Sequence, residues 1–163
     1  MIELIANIRK WAIAHARRSN IHGVAHWDRV YENGQKLLNP YVDALVVGVF
    51  AYLHDVCRIN DDEDILHGVR ASEKIDEIRN SILSFMTEEQ ISLLKKACHD
   101  HTTVHKTDNP TIDACFDADR LDLWRVGIVP DPDRMATEKG AEIAMATDYM
   151  PLIESLIIDI EDE

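Results

Sequence analysis

Cysteine is scarce and badly placed for cross-linking. Cys57, Cys98 and Cys115 are odd in number, far apart and form no Cys-x-x-Cys pair, which argues against a disulfide framework and a zinc ribbon and suits a reducing compartment. Basic charge is also in deficit: 17 Lys and Arg stand against 30 Asp and Glu, a formal net charge of −13. A chain so acidic lacks the basic face that a nucleic acid polymer or an anionic membrane requires, although a local phosphate pocket remains compatible with it. No apolar run reaches the roughly 18 residues of a membrane span. The stretch Met1 to Ser19 carries Glu3, Asn7, Arg9 and Lys10 among its apolar residues, so it reads as an amphipathic helix and not as a signal peptide. No internal repeat and no strand-like alternation occurs. The expectation is therefore a soluble, cytoplasmic, all-α protein of six to eight helices. A single domain over residues 1–163 is long enough to bury roughly 70% of its unfolded surface.

What is present is helical periodicity. The first helix is expected from about Ile2 to Arg18, with Ile5, Ile8, Trp11, Ala12 and His15 on one stripe and His15 at the core or its boundary. Asn20 to Val24 reads as a turn. A second helix follows from about Ala25 to Leu38, with His26 in its first turn and Pro40 ending it. Asp43 is placed to cap a third. Thr87 and Gln90 have the spacing of a capping box, ahead of Ile91, Leu94, Ala97, Cys98 and His101. Another helix begins at Pro110 or Asp113, and the Pro-rich stretch Gly127 to Asp133 stops it. A less apolar helix runs to about Thr147. Residues 151–163 form a tail with Leu152, Ile153, Leu156, Ile157 and Ile160 on one face and five acids (Glu154, Asp159, Glu161, Asp162, Glu163) beyond it. The tail reads as a closing helix docked on the core, with a homodimer contact as the alternative.

The third helix carries the chemistry. Val46 to Arg58 is an apolar run that closes on adjacent His54 and Asp55. At helical spacing Val47, Phe50, Ala51 and His54 share a face, so His54 points where the core points. A carboxylate at the end of so apolar a segment costs several kcal/mol unless it is paired or metal-bound. Asp119 likewise falls where Ile112, Cys115, Phe116 and Leu123 predict an apolar residue. Two imidazoles and two carboxylates, His26, His54, Asp55 and Asp119, make a sound donor set for a divalent cation, since mixed N/O ligands suit borderline ions. His22 and His105 read as loop residues.

The segments HGVAHWDRV around His26, AYLHDVCR around His54-Asp55 and DACFDADRLD around Asp119 resemble, in order and spacing across residues 20 to 125, the HD-domain metal-dependent phosphohydrolases. That resemblance implies a compact helical bundle with one or two divalent ions (Mn, Fe, Ni, Co, Zn or Mg) held by His26, His54, Asp55 and Asp119. It also implies hydrolysis of a small phosphorylated metabolite, a nucleotide among them. His67, His101 and, less suited because its stripe is polar, His99 stand at positions resembling those of a second metal, with Asp55 as the bridging carboxylate. Asp55 then orients the water, and His67 or an acid among Asp61 to Asp64 supplies the leaving-group proton. Arg58 and Arg70, each about one turn from a proposed ligand, are the candidates to bind phosphate, because a guanidinium donates two hydrogen bonds at once; Arg120 and Arg125 come next. Two alternatives share the ligand set or the scaffold: a di-iron oxygenase, and a non-catalytic metal-binding or signalling module.

Overall fold

Ten residues, Ala44–Leu53, form the helix around which the others pack. Asp43 caps it, accepting from the backbone N–H groups of Leu45 and Val46. Every side chain from Val46 to Leu53 is buried, so this helix is apolar all round because it is enclosed all round. The structure, a computed structural model, describes the backbone of residues 1–161 and the side chains of residues 1–156.

Within those residues the chain is all-α, with eight α-helices and no strand. They are α1 (Ile2–His15), α2 (Val24–Lys36), α3 (Ala44–Leu53), α4 (His67–Ile78), α5 (Glu88–Asp100), α6 (Pro110–Arg120), α7 (Glu138–Ala146) and α8 (Met150–Glu161), with short 3-10 turns at Leu123–Val126 and Pro132–Arg134. Around α3 stand α1, α2, α5 and α6, while α4 packs along the outer side of α5. The capping box forms as the sequence predicts: Thr87 and Gln90 each accept from the other's backbone N–H. Among the described residues no helix is long and apolar enough to cross a membrane.

Two expectations are corrected at the N-terminal end. The first helix stops at His15, because Ala16 turns extended (φ −86°, ψ 158°). The His15 ring folds back to stack on Trp11, with centroids 4.3 Å apart, and is exposed, so it belongs neither to the core nor to its boundary. At the other end α8 begins against the turn Leu123–Val126. The side chains of Ile157, Asp159, Ile160, Glu161, Asp162 and Glu163 lie outside the described residues.

Two glycines fix how close elements come. Gly68 starts α4 where a Cβ would collide with the Cys98 carbonyl oxygen and lie 3.1 Å from that of His99, so α4 and α5 touch backbone to backbone. Gly127 ends the turn Leu123–Val126 in the left-handed region (φ 77°), which costs glycine nothing.

Candidate metal centre

Five helices meet at one buried point. His26 comes from the first turn of α2, His54 caps the C-terminus of α3 with Asp55 next to it, His67 opens α4, His101 caps the C-terminus of α5, and Asp119 lies in the last turn of α6. A helix C-terminus repels anions, so Asp55 sits where a carboxylate is expensive without a cation nearby.

The donor atoms form three overlapping groups, His26–His54–Asp55, Asp55–His67–His101 and His54–His101–Asp119, and the first two share Asp55. In the first, His26 Nε2 lies 3.1 Å from His54 Nε2, 3.3 Å from Asp119 Oδ1 and 3.7 Å from Asp55 Oδ2. His54 Nε2 is 3.7 Å from each of the same two carboxylate oxygens. Donors arranged tetrahedrally about an ion at roughly 2.0–2.2 Å stand about 3.3–3.6 Å apart, so these separations are those of a ligand set. In the second group His67 Nε2 lies 2.9 Å from His101 Nε2 and 3.2 Å from the other oxygen of Asp55, Oδ1, with His101 Nε2 4.0 Å from it. Asp55 thus offers one oxygen to each pair of imidazoles.

Hydrogen bonding fixes which ring nitrogen faces the centre. His54 Nδ1 donates to the carbonyls of Phe50 and Ala51, His67 Nδ1 to that of Asp64 and His101 Nδ1 to that of Cys98. His26 Nδ1 donates to the fully buried carboxylate of Asp122 at 2.7 Å. Neutral rings held this way carry a bare lone pair on Nε2. The Nε2 pairs at 3.1 Å and 2.9 Å would then be lone pair against lone pair, an arrangement that a cation resolves. A second ring nitrogen tied to a carboxylate or carbonyl is also the usual support of a metal-bound histidine.

The charge states agree for three of the four imidazoles. Burial outweighs the nearby carboxylates of Asp55 and Asp119 and lowers the His54 pKa to about 4, and it lowers His67 and His101 as well. His26 moves the other way: burial lowers it, but hydrogen bonds with Asp119 and Asp122 more than offset that. Burial also raises Asp55 and Asp119, yet for Asp55 the adjacent His54 imidazole and the hydrogen bond from His22, and for Asp119 the hydrogen bond with His26, hold both well below the usual carboxylate range. Ionised carboxylates among lone pairs leave positive charge as the thing the centre demands. The donor set fits one or two divalent ions, which would supply Lewis acidity and lower the pKa of a coordinated water.

Other predicted residues land elsewhere. The His99 ring is 53% exposed and bonded to Asp100, so it faces away from the centre, as its polar stripe suggested. Arg70 donates to Asp64 Oδ2 and to the Cys57 carbonyl, and its guanidinium is occupied in holding the 58–66 loop against α4. Arg58 donates Nε–H to Asp55 Oδ1 at 3.0 Å, so it first braces the bridging carboxylate. Of the loop acids, Asp64 is buried by its contacts with Arg70 and Ile59 N, and Asp61 pairs with Arg17.

Two residues were missed. His22 is in a loop, as expected, but it is no bystander: its Nδ1 lies 3.1 Å from Asp55 Oδ2 and its side chain is only 11% exposed. Asp122 orients His26 and is itself held by Arg29 at 2.6 and 3.0 Å. Its signal was available, since Asp122 follows Asp119 by three residues and so shares its side of the chain.

A cleft of about 930 Å³ opens beside the centre, reaching it at Asp119 and His101. Asp119 is the ligand candidate most open to solvent, with a side chain 17% exposed against 0–2% for the others. Fold and site together define an all-α chain with buried His/Asp groups that could hold a metal ion. No family model, curated protein or solved structure matches it.

Proposed function

We propose that the chain is a metal-dependent phosphohydrolase of the HD type, acting on a small phosphorylated metabolite. One observation carries this reading: the Asp55 carboxylate stands between two imidazole pairs, with Oδ2 toward His26 and His54 and Oδ1 toward His67 and His101. Two ions sharing a carboxylate suit phosphoryl transfer, where charge must be neutralised on the attacking and the leaving oxygen. The residues then divide the work. His26, His54 and Asp119 would hold one ion, His67 and His101 the other, with Asp55 available to both. Arg58 and His22 steady Asp55 by donating to it. His67 fits the role of ligand better than that of proton donor, because its one N–H is committed to the Asp64 carbonyl.

The test is elemental analysis of protein purified without chelator, beside His54→Ala and Asp55→Ala, and release of inorganic phosphate from a panel of monophosphates with Mn, Ni, Co or Fe. One or two ions per chain, lost with activity in both variants, is the expected outcome. Metal retained in Asp55→Ala would refute the shared carboxylate. Strict iron dependence with oxygen uptake and no phosphate release would move the chain to the oxygenase reading.

A further inference from the structure

The cleft beside Asp119 says what kind of ester fits. A phosphoryl group at the centre must project its organic part through the most open side of the ligand set, which is the Asp119 side, and that side leads into the cleft. Its volume of about 930 Å³ is at the upper end of the roughly 300–1,000 Å³ of small-molecule sites.

Polar residues outnumber aliphatic ones along its walls, yet most of the surface the walls expose is apolar. Val104, Leu123, Ile128, Val129 and Met135 line it, and Ile128 and Val129 stand 53% and 51% exposed, so apolar surface there remains to be covered.

Its cations are few. Arg120 is spent: it donates to the carbonyls of Val104, His105 and Arg134 at 2.7, 2.8 and 3.2 Å and lies over the Phe116 ring. Arg134 is the other cleft guanidinium, and Asp131 and Asp133 share the wall with it. A second or third phosphoryl group in this cleft would meet the carboxylates of Asp131 and Asp133 and at most one available guanidinium, beside Thr102, Thr103 and His105. Each anionic oxygen would lose water for little return.

We infer, on the basis of the phosphohydrolase reading, that the substrate is a phosphomonoester of an apolar or aromatic alcohol and not a di- or triphosphate, with Leu123, Ile128 and Val129 holding the alcohol part. Hydrolysis joins a water oxygen to phosphorus and breaks the ester P–O bond. The bonding pair stays on the alcohol oxygen, a water proton transfers to it, and the products are the free alcohol and inorganic phosphate.

Titration calorimetry on the Mn-loaded protein tests the pocket with phenylphosphonate and methylphosphonate, neither of which has an ester bond to cleave. Burying a phenyl ring is expected to make phenylphosphonate bind about tenfold tighter or more. Ile128→Asp and, independently, Val129→Asp should remove most of that preference with the bound metal unchanged. Both positions are exposed, so the fold should tolerate either change. In turnover, phenyl phosphate should exceed adenosine di- and triphosphate in kcat/KM by about tenfold or more. Equal affinity for the two phosphonates, variants that keep the preference, or better turnover of the polyphosphates would overturn this inference while leaving the hydrolase reading intact. A metal-loaded protein that hydrolyses no phosphoester at all would overturn the hydrolase reading, and this inference with it.

Discussion

At the scale of single residues, the centre is a matter of tautomers. Four imidazoles point Nε2 inward because five acceptors hold their Nδ1–H groups, and four of those acceptors are backbone carbonyls that no substitution removes. The fifth, Asp122, is a side chain. Asp122→Asn weakens that acceptor and the pairing with Arg29, so His26 should lose orientation. Metal affinity is expected to fall about 10–100-fold, read by competition with a chromogenic chelator, while the helical circular dichroism stays unchanged. An unchanged affinity would mean that Asp122 serves the fold alone. His54, Asp55 and Asp119 could be found in the sequence because polar groups on apolar faces carry a cost that invites explanation, and His26 through the resemblance of the segment around it, HGVAHWDRV. His22 could not, since it lies in a turn with no periodic face to violate, and only the path of the chain brings it to Asp55. Arg70 misled for a related reason: spacing along α4 placed it one turn from His67, but the partner that occupies it, Asp64, comes from the preceding loop.

At the scale of elements, helices were legible where a cap or an apolar stripe marked them, as with Asp43, Thr87 and Pro110. The end of α1 carried no such mark. What the sequence could not convey is how closely two helices approach, and here Gly68 decides. Because α4 and α5 meet at this residue, His67 and His101 come within 2.9 Å at their Nε2 atoms. Gly68→Ala must push α4 away from the Cys98 carbonyl. Overpacking of this kind costs about 1–3 kcal/mol, and it should separate His67 from His101. The expected variant is folded, less stable in urea, and short of whatever ion the Asp55, His67 and His101 group holds, while the His26, His54 and Asp119 side keeps its own. Elemental analysis that found wild-type metal in Gly68→Ala would show that the second group tolerates a wider gap.

At the scale of the whole molecule, the centre is a junction: its donors come from α2, α3, α4, α5 and α6, the same helices that enclose or flank the core. An ion bound there ties five elements that are otherwise joined by apolar packing, and such a site scarcely exists in the unfolded chain. Binding to the native state alone must therefore raise stability by mass action, by about 2.7 kcal/mol at a free ion concentration one hundred times Kd. For a chain of this length each kcal/mol moves Tm by roughly 2–4 °C. Wild-type protein stripped with chelator and then titrated with Mn or Ni should accordingly gain about 5–10 °C. His54→Ala should start lower, from the cavity beside Phe50, and gain almost nothing on titration. Equal gains in the two proteins would place the bound ion away from the five-helix junction, at some surface site among the many exposed acids, and the buried donors would then be holding only one another.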